Sequence, residues 1–151
     1  MPRTTPLMLV NSAKVWEDFY LLAIQSPHST QKLLPGMYCL FISLELRLKA
    51  YIVLLDDTYA GPRKLRSLGH DFRKIYEVIY LLAPSDMSAE VMNCLNAYNL
   101  FNNNINDLRY PETPRSLQIA QDLQTGNHSL ISLFEIIDNR VRVGMAEWMG
   151  Q

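Results

Sequence analysis

The sequence predicts an all-α protein, an up-and-down bundle of about five helices forming one domain over residues 1–151. Three observations predict it. Apolar residues recur at spacings of three and four through long windows, the pattern of a buried helical face. The eight prolines fall almost entirely between those windows, where they punctuate helices rather than interrupt them. No alternating apolar and polar run competes as a strand, and no internal repeat is visible.

Residues 1–8 read as a lead-in. Helix 1 is expected from Asn11 or Ser12, either of which can cap it, to Gln25 before Pro27. Leu9, Ala13, Trp16, Tyr20 and Ala23 form its buried stripe, with Lys14, Glu17 and Asp18 outside. Helix 2 is expected after Pro35-Gly36, ending near Asp56-Asp57. It is apolar around most of its circumference, with Ser43, Arg47 and Ala50 as the one gap, so it belongs at the centre of the bundle. Glu45 lies among Phe41, Leu48 and Ile52, and a carboxylate there needs a partner.

Tyr59 to Leu68 reads as a loop broken at Gly61-Pro62. Helix 3 starts between Ser67 and Asp71, with Leu68, Phe72, Ile75, Ile79 and Leu82 inward and His70 and Asp71 in its first turn. Helix 4, from Ser85 or Ser88 to Leu108, carries the most regular stripe in the chain: Met87, Val91, Cys94, Tyr98, Phe101, Ile105 and Leu108. A long connection, Pro111 to Gly126, leads to helix 5 from Asn127 to Trp148, with Leu130, Phe134, Ile137, Val141, Met145 and Trp148 inward.

Composition narrows the class. Apolar residues make up 48% of the chain, enough for a core without disulfides, and Cys39 and Cys94 read as buried, reduced thiols. The formal charge is −1, but segment 62–74 holds Arg63, Lys64, Arg66, Arg73 and Lys74 against Asp71, a net +4 that leaves −5 elsewhere. Charges at Glu45, Arg47 and Lys49 argue against a membrane span in helix 2. No signal peptide pattern is seen, so the expected location is cytoplasmic. Asp56-Asp57 has no accompanying ligand cluster, and neither a metal nor a cofactor is expected.

Three short motifs stand in order: Ser43-Leu44-Glu45-Leu46-Arg47-Leu48-Lys49-Ala50-Tyr51, then Gly69-His70-Asp71-Phe72, then Leu108-Arg109-Tyr110-Pro111. Together they resemble the HEPN domain (higher eukaryotes and prokaryotes nucleotide-binding) over residues 10–110. The resemblance implies a helical bundle, a homodimer, and a link to RNA or nucleotides. It also implies toxin–antitoxin or defence systems as a setting, and a protein partner such as a nucleotidyltransferase. Its ribonuclease members carry an Arg, four to six residues, then a His on a late helix. Here Arg63 and His70 have that spacing, but across a loop and an early helix start, and helix 5 has Arg140 and Arg142 without a following His. The expectation leans against catalysis for that reason.

The candidate site residues are therefore Glu45, Lys49, His70, Asp71, Arg109, Tyr110 and Arg63, with His70 the candidate catalytic group. Glu45 and Lys49, one helical turn apart, suit an intrahelical pair. The set reads either as a buried polar network that fixes helix register or as a phosphate or base site, with Lys49 and Arg109 as anion ligands. Three functions stay open: a non-catalytic module binding RNA, a nucleotide or a partner protein; a metal-independent endoribonuclease using His70; and a purely structural accessory subunit.

Overall fold

A computed structural model describes residues 3–25, 29–84 and 127–149. Among them are five α-helices and no strands: α1 Pro6–Gln25, α2 Ser29–Leu55, α3 Pro62–Ser67, α4 Phe72–Leu82 and α5 Asn127–Met149. A 3₁₀ turn, Asp57–Ala60, joins α2 to α3. The expected helix at 85–108, with Cys94, and the connection at 111–126 lie outside the described residues.

The central role expected of α2 is observed. It packs against α1, α4, α5 and the 3₁₀ turn. From Ser43 to Val53 every residue except Leu46 is buried. Side-chain pairs give the helix directions. Gly36 lies against Ala23 and Ser43 bonds the Ala13 carbonyl, so α1 runs antiparallel to α2. Phe41 meets Phe72 edge-on at 5.8 Å and Glu45 meets His70, so α4 is antiparallel as well. Arg47 with Asp138, Tyr51 with Arg140 and Leu54 with Gly144 set α5 parallel to α2. Of the four longer described helices, α1 and α4 thus run against α2 and α5 runs along it, in an all-α bundle.

Most predicted core positions are buried, including Leu9, Ala13 and Tyr20 in α1, Leu68, Phe72, Ile75 and Ile79 around α4, and Phe134, Ile137 and Val141 in α5. Trp16, Ala23 and Met145 are half-buried, and Leu82 is exposed, at 38%. Three boundaries differ from expectation. Helix α1 starts at Pro6 rather than Asn11, because proline suits a first helical position and needs no amide there. Helix α2 starts at Ser29 and passes through Pro35-Gly36. Pro35 forfeits one main-chain hydrogen bond, whereas Gly36 is buried where a β-carbon would stand 3.1 Å from Ala23 Cβ. The pair permits close α1–α2 packing instead of marking a break. Finally, the expected loop from Tyr59 to Leu68 is mostly helical, with Pro62 opening α3.

The supposed gap at Ser43, Arg47 and Ala50 is also closed: all three are at most 1% exposed. Cys39 is half-buried, and burial raises its thiol pKa, partly offset by a backbone hydrogen bond.

Candidate functional site

Two elements bring the predicted polar residues together. On α2, Glu45 and Lys49 are separated by one turn, and Lys49 Nζ donates to Glu45 Oε1 at 2.7 Å. Helix α3 closes with Leu68 and Gly69, whose amides bond back to the carbonyls of Leu65 and Arg66. Gly69 has φ +59°, the left-handed conformation that ends helices and strongly favours glycine. The chain then turns through His70 to Asp71, the N-cap of α4. Asp71 accepts from the amides of Arg73 and Lys74 at 3.0 and 3.3 Å. Asp71 is therefore a cap, and His70 stands just ahead of the helix rather than in its first turn.

That turn sets the His70 ring over Glu45, with Nδ1 2.8 Å from Oε2. The Glu45 side chain is 4% exposed and the imidazole 67%. A carboxylate only accepts, so Nδ1 is the donor and Nε2 takes no part in this contact. The result is an oriented histidine at the surface, anchored by a buried carboxylate that is itself neutralised by lysine.

The cations of segment 62–74 precede and follow it in the chain. Arg63, Lys64, Arg66, Arg73 and Lys74 are all exposed. Lys64 bonds Thr58 Oγ1, reaches Asp56 at 3.4 Å and lies 4.0 Å over the Tyr59 ring. Lys74 donates to the Ser67 carbonyl at 2.6 Å, tying α4 back to α3. Arg73 meets Glu77 at 3.4 Å, both more than half exposed, a pair that contributes little. Arg109 and Tyr110 lie outside the described residues.

Sequence reasoning missed a second cluster, centred on Arg47. Its guanidinium donates to Glu17 at 2.7 Å from α1, to Asp138 at 2.9 and 3.2 Å from α5, and to Ser43 Oγ. It also lies 4.0 Å over the Phe134 ring. Ser43 passes its own proton to the Ala13 carbonyl at 2.7 Å. Every nitrogen of the guanidinium is engaged, which marks a structural node rather than an open anion site. Glu17, expected outside, turns inward to serve it. An apolar gap holding one arginine on an otherwise buried helix was the available signal.

Recesses of about 1120 and 680 Å³ open along the α1–α5 seam, and one of about 450 Å³ lies between residues 3–6 and the ends of α2 and α5. His70 lines none of them and stands on open surface. Among the described residues no group of three His, Cys, Asp or Glu side chains is placed to hold a metal ion, and no helix is long and apolar enough to cross a membrane. Compared with known protein families, with curated proteins and with solved structures, the chain matches none.

Proposed function

We propose that this bundle is a HEPN-like module that binds RNA through the basic surface formed by α3 and the start of α4. One observation carries the reading: His70, held by Glu45 with most of its ring exposed, belongs to a segment, 62–74, whose cations Arg63, Lys64, Arg66, Arg73 and Lys74 are all exposed. Arginines and lysines on an open surface suit a phosphate backbone, which attracts by charge and needs no enclosing pocket. An enclosed mononucleotide fits less well with an imidazole that is 67% exposed. The homodimer implied by the resemblance belongs to the same proposal. It is supported by exposed Met8, Val15 and Leu22 on α1, seven residues apart with Phe19 between them.

The oriented imidazole also favours a second reading, metal-independent RNA cleavage with His70 as general base and the neighbouring cations supporting the transition state. One experiment separates the two. Labelled single-stranded RNA is incubated in EDTA with wild type, His70→Ala and Arg63→Ala/Arg66→Ala, and both retardation and cleavage are read. Binding without cleavage, weakened in the double variant, is the expected result. Cleavage by wild type that disappears in His70→Ala selects the nuclease. Absence of both leaves the accessory-subunit reading.

A further inference from the structure

The two recesses between α1 and α5 form one furrow, because Lys14, Glu135 and Asp138 line both. Its α1 wall carries Leu7, Val10, Lys14, Glu17 and Leu21 on successive turns, a length of about 20 Å at the rise of a helix. One half has an apolar floor of Leu7, Val10, Val141, Met145 and Ala146. Leu7 is 52% exposed and Ala146 is exposed as well, so this floor is open to solvent. The other half is acidic, with Glu17, Asp18, Glu135 and Asp138 against Lys14 and Arg47. Arg47 is committed to Glu17 and Asp138. Among the described residues Asp18 and Glu135, both exposed, have no ion-pair partner.

We propose that this furrow is the docking site of a partner protein's amphipathic helix, its apolar stripe on the floor and its lysines or arginines over Asp18 and Glu135. The length accommodates about four helical turns. A helix laid in an apolar groove is anchored by side chains at i, i+3, i+4 and i+7, which is one stripe along such a floor. The unpaired carboxylates at one end select a basic occupant, since like charges laid together repel. Shape decides against a second copy of this chain. A two-fold contact sets this face on itself, and two hollows face to face leave both floors uncovered. The inference stands apart from the RNA reading, whose basic surface is on α3 and α4.

The test is fluorescence anisotropy of the full chain against three labelled peptides of about sixteen residues. The first is a Leu/Lys helix with leucines at i, i+3, i+4 and i+7. The second keeps those leucines and carries Glu in place of Lys, and the third scrambles the first. The Leu/Lys helix is expected to bind about tenfold tighter than either of the others. Leu7→Ser, a change at a half-exposed side chain, is expected to weaken it about fivefold with the melting temperature and RNA retardation unchanged. Glu135→Lys is expected to weaken the Leu/Lys helix and tighten the Leu/Glu one. Equal binding of the scrambled peptide, or unchanged binding by Leu7→Ser, reduces the attraction to charge alone and overturns the proposal. Equal binding of the Leu/Glu helix overturns the basic partner. A wild-type dimer in sedimentation that Leu7→Ser dissociates assigns the face to a second copy and overturns it too. No binding of any peptide overturns the furrow and leaves the RNA reading standing.

Discussion

Arg47 and Asp138 meet through two nitrogens, Nε at 2.9 Å and Nη2 at 3.2 Å, although 91 residues separate them. The guanidinium is buried on α2, and the carboxylate comes from α5, which packs beside it. Its second anion, Glu17, comes from α1. One side chain thus joins the three longest described helices at a single point. Among the described residues no buried side-chain nitrogen or oxygen is left without a partner.

Removing Arg47 leaves two partly buried carboxylates, 23% and 25% exposed, facing each other without their cation. Arg47→Ala is expected to destabilise the fold by about 3–5 kcal/mol, read from urea denaturation. Asp138→Ala should cost less, because Glu17 and the Phe134 face still hold the cation. Equal stability of Arg47→Ala and wild type would refute the node.

Glu45 and His70 touch but should behave differently when replaced. Glu45→Gln leaves Lys49 without an anion in a position only 10% exposed, at a cost of about 1–3 kcal/mol. His70→Ala removes a ring that is mostly in solvent and leaves the Glu45–Lys49 pair intact, so stability should fall by less than about 1 kcal/mol. A larger loss in His70→Ala than in Glu45→Gln would make the histidine a structural residue and weaken the RNA-binding proposal.

Gly69 tests the turn that presents His70. A β-carbon there would meet nothing within 4 Å, so Gly69→Ala adds no clash and isolates the left-handed backbone. The expected cost is about 1–2 kcal/mol in thermal or chemical denaturation, with Gly69→Asn costing less. A neutral Gly69→Ala would mean that the turn relaxes to negative φ.

Asp56 supplies a pH signature. Its pKa is held below the usual carboxylate value chiefly by the Thr58 hydroxyl, then by the Thr58 amide and Lys64, against some desolvation. Since the folded value lies below the unfolded one, the contribution is complete above the unfolded pKa. It is lost as pH falls through the folded value. Carboxyl NMR should give Asp56 a midpoint below about 3.9, moving up in Thr58→Ala. A midpoint at or above that reference would contradict the hydrogen bonds Asp56 accepts from Thr58.

The parts legible in the sequence are those written locally. Phe72, Ile75 and Ile79 announce α4 by spacing alone, and Glu45 with Lys49 is readable as a pair within one turn. The Glu45–His70 contact follows once two adjacent helices are packed. Pro35-Gly36 misleads because close packing against Ala23 outweighs a lost amide bond, and that packing is invisible in one dimension. Arg47 resists for the same reason: one of its anions lies 30 residues before it and the other 91 after, with no local trace of either.

That separation gives the bundle an order of assembly. During synthesis α1 and α2 emerge first and can pair at once, with Glu17 already opposite Arg47. The arginine then waits, half neutralised and lacking its aromatic cover, while roughly ninety further residues are made. Arrival of α5 supplies Asp138 and Phe134 together. A nascent chain arrested before that helix would expose a charged socket to chaperones and proteases, and docking of α5 would shut it in a single event.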